Sequence, residues 1–178
     1  MRIGVIGAGM IGGTLARHLA KLRHQVSIAN SRGPGSLTAL AAEIGATPVS
    51  VVDAANAGEV VIVSIPQKAV PDLPRGLFAN VPDSVIVVDT GNYYPELRDG
   101  RIDAIERGML DSQWVAQQLG RPVIKAFNSI YAKSLLEKGR SSGNDGPRSS
   151  LGCRRSSRGE GPSASPGRRT RLRPCRRW

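Results

Sequence analysis

A glycine-rich turn near the amino terminus restricts the possible folds of this chain more than any other feature. The residues before it, Arg2–Ile6 (RIGVI), are typical of a short β-strand, and residues 10–23 carry apolar side chains at helical spacing. The glycine turn has the spacing GxGxxG and consists of Gly7, Ala8, Gly9, Met10, Ile11 and Gly12. A strand, a tight glycine turn and a helix in this order predict the start of a βαβ unit.

Strands and helices continue to alternate as far as residue 127. The further predicted strands are Gln25–Ala29 and residues 47–49, 60–65, 85–89 and 123–127. The further predicted helices are residues 36–44 with Ser36 as N-cap, 51–57, 67–78 with interruptions at Pro71 and Pro74, and 103–119. Short connections between such elements favour right-handed crossovers and a parallel sheet covered on both faces. We therefore expect an α/β fold, a Rossmann-type doubly wound parallel sheet, over residues 1–140.

The glycine turn also predicts a ligand. Gly7 permits the tight turn, Gly9 lets the backbone approach a diphosphate, and Gly12 lets the helix pack closely on the strand. The helix that begins near Met10 directs unpaired N–H groups and the positive end of its dipole at the same place. We therefore predict that residues 7–12 bind the diphosphate of a dinucleotide; the alternative is a glycine-rich turn in an unrelated α/β protein.

The end of the second predicted strand indicates which dinucleotide is bound. NAD-binding domains of this class commonly place a carboxylate there, which accepts hydrogen bonds from the ribose 2′-OH. Here the sequence is Asn30-Ser31-Arg32, and the next carboxylate is Glu43. Arg32 can pair with a 2′-phosphate and Ser31 can donate a hydrogen bond to it, so the predicted cofactor is NADP(H). The alternative is that Arg32 is an ordinary solvated loop charge.

Three further loops follow predicted strands and should meet at the same edge of the sheet. Ser64, Ile65 and Pro66 end the fourth strand, and we expect them to lie beneath the nicotinamide ribose. Residues 90–92 and 128–129 end the next two strands and are expected to frame the second substrate.

No catalytic acid or base is assigned from the sequence. Lys125 falls within the last predicted strand and is expected to point sideways, and Lys133 follows the last loop. Direct hydride transfer between two redox cofactors depends on positioning more than on proton transfer, so it does not require such a group. No metal site is predicted, since the histidines and cysteines are not grouped as ligands: His18, His24, Cys153 and Cys175.

Four segments together resemble the F420-dependent NADP oxidoreductase family, the NADPH-dependent reductases of the deazaflavin coenzyme F420. They are GAGMIGGTLARHLAKLRHQVSIANSRGP, VVIVSIP, VVDTGNYYP and PVIKAFNSIYAKSL, and the resemblance covers residues 1–140. It implies reversible hydride exchange between NADPH and F420, and a small C-terminal segment that helps to bind F420 and to form a dimer. The residues that it implies for the cofactor are Gly7, Gly9, Gly12, Ser31 and Arg32 for NADP, with Ile65 and Pro66 near the nicotinamide.

The amino-terminal domain is also similar to that of pyrroline-5-carboxylate reductases. The identity of the hydride partner is therefore less restricted than that of the nucleotide. An NADPH-dependent reduction of a small imine or carbonyl compound is the alternative reaction.

The composition changes after residue 140, where the resemblance ends. Residues 141–178 are rich in Arg, Ser, Gly and Pro and carry ten of the 25 Lys and Arg but only two of the 14 Asp and Glu. Such a segment has few apolar residues to bury, and we expect a disordered basic tail. We interpret the change as a truncation or a frameshift in GC-rich DNA, which would remove part of the second-substrate pocket and of the dimer surface. The chain would then be a non-catalytic NADP(H)-binding product, which is the second alternative.

Most of the net charge of +11 lies in this tail. The tail lacks interleaved aromatic residues and nucleic-acid-binding motifs, so a nucleic-acid partner is not expected. The sequence has no run of membrane-spanning length and begins with a strand rather than a leader, so we expect a cytoplasmic protein without a membrane partner. The expected partner is a small redox molecule, with a homodimer where the C-terminal segment is intact.

Overall fold

Residues 1–138, the part of the chain that the computed structural model describes, form a six-stranded parallel sheet. The strands are Arg2–Ile6 (β1), Gln25–Ala29 (β2), Thr47–Pro48 (β3), Val60–Val63 (β4), Ile86–Asp89 (β5) and Ile124–Lys125 (β6). Their spatial order is β3-β2-β1-β4-β5-β6. This is the order of a Rossmann sheet, in which successive strands add on one side of β1 and then, from β4 on, on the other. The predicted fold is confirmed, whereas the predicted tail, residues 141–178, lies outside the described residues.

Six α-helices and three helical turns of other types accompany these strands within residues 1–138. The α-helices are Met10–Lys21 (α1), Thr38–Ile44 (α2), Val51–Ala55 (α3), Asp103–Glu106 (α4), Asp111–Leu119 (α5) and Ala132–Glu137 (α6). The other helical turns are the 3-10 turns Pro34–Leu37 and Gln67–Ala69 and the π-helical turn Pro95–Asp99. None of the described helices is long and apolar enough to cross a membrane.

The two faces of the sheet are buried against separate apolar clusters. In β4, Val61 and Val63 belong to the cluster that contains Trp114 and Val115 of α5. Ile62, which lies between them, belongs to the cluster formed with α1 and α2. Because side chains alternate along a strand, this division places helices on both faces and explains why β4 is apolar throughout.

The carboxyl ends of five strands lie in one row across the sheet. Ile6 of β1 pairs with Ala29 of β2 and with Val63 of β4. Val63 pairs with Asp89 of β5, and Asp89 pairs with Lys125 of β6. The loops that follow these residues therefore start side by side along one edge, which we call the carboxyl edge.

The predicted N-cap at Ser36 is wrong. Helix α2 begins at Thr38, after Leu37, and has no side-chain cap. The hydroxyl of Ser36 is engaged with Asn30 and with the carbonyl oxygen of Gly33 instead. A 3-10 turn over Pro34–Leu37 occupies the place of the expected first helical turn.

The other predictions differ from the structure mainly in length. The helix expected over residues 67–78 is limited to the 3-10 turn Gln67–Ala69, because Pro71 and Pro74 remove backbone donors. The helix expected over residues 103–119 is divided into α4 and α5 at Gly108, which has a φ of +100°. The strand expected over residues 123–127 ends at Lys125, and Phe127 has a φ of +62°, which turns the chain out of the sheet.

Candidate functional site

The glycine turn is packed against the loop that follows β4. Gly7 has a φ of +108°, and its N–H donates to the carbonyl oxygen of Ala29 at 2.8 Å. A methyl group on Gly7 would lie 2.2 Å from the Ser64 carbonyl oxygen and 2.9 Å from Cγ2 of Ile65. A methyl group on Gly12 would lie 1.9 Å from the carbonyl oxygen of Gly7. Both positions therefore require glycine, and the turn contacts the strand ends on either side of β1.

The amino end of α1 faces open space. Gly9 caps this helix without a side-chain hydrogen bond, and no atom lies within 4 Å of the position its Cβ would take. Met10 is 80% exposed, whereas Ala8 and Ile11 are half-buried against the cluster beneath α1. The first turn of α1 has no acidic residue, and its leading N–H groups have no partner within the helix. Free donors, a positive dipole end and an open approach fit the diphosphate of a dinucleotide.

The loop after β2 is folded around the side chain of Asn30. Its Oδ1 accepts a hydrogen bond from the N–H of Arg32 at 3.0 Å, and its Nδ2 donates to Oγ of Ser36 at 2.9 Å. Ser36 Oγ also donates to the Gly33 carbonyl oxygen at 2.8 Å. Ser31 and Arg32 are exposed, and Arg32 forms no ion pair within residues 1–138. The loop thus presents an unpaired guanidinium and a hydroxyl on a prearranged backbone.

A side-chain hydrogen bond joins the loops after β4 and β5. Thr90 Oγ1 donates to Ser64 Oγ at 2.9 Å. Ile65 packs against the cluster that contains Trp114, and Pro66 precedes the 3-10 turn Gln67–Ala69. Ser64, Ile65 and Pro66 are all half-buried. The structure therefore brings Ser64 and Ile65 next to the glycine turn, and Pro66 follows them directly in the chain.

Asn92 joins the loop after β5 to the loop after β6. Its Nδ2 donates to the Asn128 carbonyl oxygen at 2.7 Å and to the Tyr94 hydroxyl at 3.2 Å. The two loops predicted to frame a second substrate, residues 90–92 and 128–129, are therefore in contact.

Asp99 anchors the π-helical turn beside this edge. Its buried carboxylate accepts hydrogen bonds from the backbone N–H groups of Tyr94 at 2.8 Å and Lys68 at 3.2 Å, and from the guanidinium of Arg98 at 3.0 Å. Burial alone would raise the pKa of Asp99, but the hydrogen bonds and the charge of Arg98 outweigh it and lower the pKa. Asp99 is therefore ionised at neutral pH and holds the segments after β4 and β5 together.

A buried ionic cluster, which was not predicted from the sequence, lies beneath the loop after β5. Lys125 Nζ is 2.8 Å from Asp89 Oδ2 and 2.8 Å from Asp111 Oδ2. Burial raises the pKa of Asp89, and the neighbouring ammonium of Lys125 opposes that shift. Because its ammonium lies between two carboxylates, Lys125 is not placed to act as a general acid. The signal in the sequence was a pair of opposite charges at the ends of two strands, but only the observed register makes them neighbours.

The opposite edge of the sheet has a different character. A cavity of about 970 Å³ lies at the amino ends of β5 and β6, where Val85, Leu119 and Val123 are among its lining residues. None of the residues predicted to bind a nucleotide lines this cavity. The predicted site residues are instead distributed along the carboxyl edge.

The sheet order, the glycine turn between β1 and α1, and the loops that meet at the carboxyl edge define a dinucleotide-binding protein of the Rossmann class. Residues 2–93 match the sequence family described as coenzyme F420-dependent NADP oxidoreductase. The chain belongs to this family and is an NADP-dependent oxidoreductase. The comparison with curated proteins gives no match.

Several solved structures resemble the chain. A hypothetical protein of Sinorhizobium meliloti, SMa0349, is 33% identical with a TM-score of 0.63, and the match covers 78% of this chain and 67% of that one. A proposed F420-dependent NADP reductase from Arthrobacter sp. FB24 is 22% identical with a TM-score of 0.63, covering 85% of this chain and 76% of that one. An imine reductase of Myxococcus stipitatus in complex with NADP+ is 18% identical with a TM-score of 0.51, covering 75% and 43%. The last two likenesses concern the fold alone.

Proposed function

We propose that this chain transfers a hydride between NADPH and the deazaflavin coenzyme F420. The family match over residues 2–93 supports F420 as the partner. When bound, the two cofactors supply the chemistry: a hydride passes from NADPH to oxidised F420, one proton is taken from solvent, and NADP+ and reduced F420 result. The contribution of the chain is to bind and orient the two molecules at the carboxyl edge.

In this proposal, the nucleotide is held by residues of three neighbouring loops. The glycine turn binds the diphosphate through Gly7, Ala8, Gly9, Met10, Ile11 and Gly12. The loop after β2 binds the 2′-phosphate through Asn30, Ser31 and Arg32. The loop after β4 lies under the nicotinamide end through Ser64, Ile65 and Pro66.

The observation that favours NADP(H) is the guanidinium of Arg32 in the loop after β2, which has no ion-pair partner within residues 1–138. A carboxylate in this loop would repel a 2′-phosphate, and residues 30–42 contain none. The next one, Glu43, is paired with Arg17 at 2.8 Å. A guanidinium without a competing carboxylate favours a phosphate ligand over a hydroxyl.

We place F420 against residues 90–92 and 128–129. Thr90 joins this loop pair to Ser64, and Asn92 holds its two members together. The proposed hydride partner then lies next to the nicotinamide end of the proposed NADP site. Transfer then depends on the positions of two bound rings, for which these loops provide a fixed support.

Steady-state turnover tests the proposal. The purified full chain is mixed with NADPH and oxidised F420, and the loss of both chromophores is followed together with a parallel reaction on pyrroline-5-carboxylate. We expect equal rates of NADPH and F420 consumption and no turnover of the imine. Turnover of the imine alone would replace F420 with a small imine or carbonyl compound. Tight NADPH binding without any turnover would indicate a non-catalytic NADP(H)-binding product.

A further inference from the structure

The cluster of Lys125, Asp89 and Asp111 places three charged side chains together, and Lys125 and Asp89 are buried. The side chains of Asp89 and Lys125 are 3% and 9% exposed, so both ions lose most of their hydration. Such a cluster is commonly no more stabilising than apolar residues of the same volume. Stability alone therefore gives little reason for its presence.

The cluster is connected directly to the loop after β5. Asp89 Oδ1 accepts a hydrogen bond from the N–H of Gly91 at 2.8 Å, while its Oδ2 contacts Lys125. Gln67 is fully buried, and a methyl group on Gly91 would lie 2.9 Å from Gln67 Oε1 and 3.1 Å from Asp89 Oδ1, so both side chains close off the same side of this glycine. Gln67 Nε2 donates to the Asp111 carbonyl oxygen at 3.3 Å. Gly91 is thus hydrogen-bonded to the carboxylate of Asp89 and lies close to the Gln67 side chain, which is itself linked to Asp111.

The neighbours of Gly91 extend this connection to two other loops. Thr90 reaches Ser64, and Asn92 reaches the Asn128 carbonyl oxygen. A displacement of Gly91 would therefore shift both contacts at once. Lys125 sets the orientation of the Asp89 carboxylate. That carboxylate in turn holds Gly91, and through the neighbours of Gly91 the effect extends to the other two loops.

We infer that Lys125, Asp89 and Asp111 form a positioning cluster that fixes residues 90–92 at the carboxyl edge and thereby aligns the hydride partner with the nicotinamide. The alignment of the partner rests on the proposed function, whereas the fixing of the loop rests on the hydrogen bonds alone. None of the three residues is assigned to contact the partner. They act through the backbone of Gly91.

Lys125→Met tests the inference, with Arg121→Met as a matched control. Arg121 and Lys125 are, as whole residues, both 7% exposed, and Arg121 lies in the bend between α5 and β6. Arg121 donates hydrogen bonds to the carbonyl oxygens of Val81, Pro82 and Val85, away from the carboxyl edge. Both variants remove one buried cation, so a general weakening of the fold should affect them alike.

Hydrogen exchange of peptides that cover residues 90–92 is the primary readout, and it needs no hydride partner. In Lys125→Met we expect exchange there to accelerate at least about tenfold, with the Kd for NADPH within about twofold of the wild type and the kcat for F420 reduced about tenfold or more. Arg121→Met should leave exchange at residues 90–92 and kcat close to those of the wild type. Asp111→Asn keeps the Lys125–Asp89 pair and should give a smaller effect in the same direction, which provides a test if Lys125→Met does not fold.

Unchanged exchange at residues 90–92 in both cluster variants would overturn the inference, as would equal acceleration in Arg121→Met. The outcome for the proposed function is separate. If the wild type does not reduce F420 but exchange accelerates only in the cluster variants, the proposed hydride partner is wrong and the fixing of the loop stands.

Discussion

The glycines of the glycine turn have different surroundings at the scale of single residues. Gly7 and Gly12 are enclosed by backbone atoms, and Gly7 also has a positive φ. Gly9 has a φ of −75°, which any residue adopts, and its missing side chain leaves only open space. Gly7 and Gly12 are therefore needed for the turn to form, whereas Gly9 leaves room for a ligand.

Alanine substitutions should separate these two roles. Gly12→Ala should lower the free energy of unfolding by at least about 2 kcal/mol, because its methyl group would overlap the Gly7 carbonyl oxygen. Gly9→Ala should leave that free energy within about 0.5 kcal/mol of the wild type but weaken NADPH binding about tenfold or more. Chemical unfolding and NADPH titration of both variants measure the difference. Unchanged NADPH affinity in Gly9→Ala would remove the diphosphate from this position.

Asp99 should make the stability of the protein depend on pH in the acid range. Its folded-state pKa is lowered, so its contribution is present above the ordinary pKa of 3.8 and is lost as pH falls through the lower folded value. Asp99→Asn should therefore be less stable than the wild type at neutral pH, by roughly 1–3 kcal/mol for the loss of a charged acceptor. The difference in the free energy of unfolding between the two proteins should become smaller as the pH of the unfolding experiment is lowered. If this difference in the free energy of unfolding stayed constant down to about pH 2, ionisation of Asp99 would not be its cause.

At the scale of secondary-structure elements, two serines precede helices and do different work. Ser50 caps α3: its Oγ accepts a hydrogen bond from the N–H of Asp53 at 3.1 Å and donates to Oδ2 of that residue at 2.6 Å. Helix α3 lies directly on β1, where a methyl group on Gly4 would be 1.9 Å from the Ala54 carbonyl oxygen. Ser36 instead accepts a hydrogen bond from the Asn30 side chain and stabilises the loop after β2.

The two serines therefore form a matched pair for substitution by alanine. Ser50→Ala should cost about 1 kcal/mol of stability, as the loss of an N-cap does, without changing NADPH affinity. Ser36→Ala should instead reduce the ratio of NADPH to NADH affinity, since the backbone that carries Ser31 and Arg32 loses its support. Unfolding curves and titrations with both nucleotides provide the comparison. Equal NADPH to NADH ratios in the wild type and Ser36→Ala would contradict this role of the loop.

The strands could be predicted from the sequence because burial on both faces leaves a strong local signal. The run Val60–Val63 is apolar throughout, and β1 and β2 were predicted with their observed limits. The order of the strands and the shared edge of their loops then followed from the rules for parallel sheets. The positions of the glycine turn and of residues 64–66 at this edge are determined by the same rules.

What could not be predicted depends on contacts between distant residues. Lys125 was expected to point sideways, but its partner Asp111 begins a helix whose start at that residue was not foreseen. We expected a single helix over residues 103–119. In the structure this segment is interrupted at Gly108, and Asp111 is therefore at the start of a second helix. Asp99 and Gln67 similarly gain their roles only when the segments after β4 and β5 pack together.

At the scale of the whole molecule, the described residues have two unlike edges. The glycine turn and the loops after β2, β4, β5 and β6 lie at the carboxyl edge. Side-chain hydrogen bonds join the loop after β5 to the loops after β4 and β6. The opposite edge has the cavity at the amino ends of β5 and β6. We propose that the carboxyl edge binds NADP(H), with the 2′-phosphate on Arg32.

Titration of the full chain with NADPH and with NADH, in the wild type, Arg32→Ala and Arg75→Ala, tests this claim most directly. Arg75→Ala is the control. Arg75 is exposed like Arg32, but it lies beside Gly76, which lines the cavity at the opposite edge of the sheet. Arg32→Ala should weaken NADPH binding about 10- to 100-fold, leave NADH binding unchanged and so abolish the preference, while Arg75→Ala should match the wild type. The 2′-phosphate would not be bound by Arg32 if the wild type had equal affinities for the two nucleotides, or if Arg75→Ala lost as much NADPH affinity as Arg32→Ala.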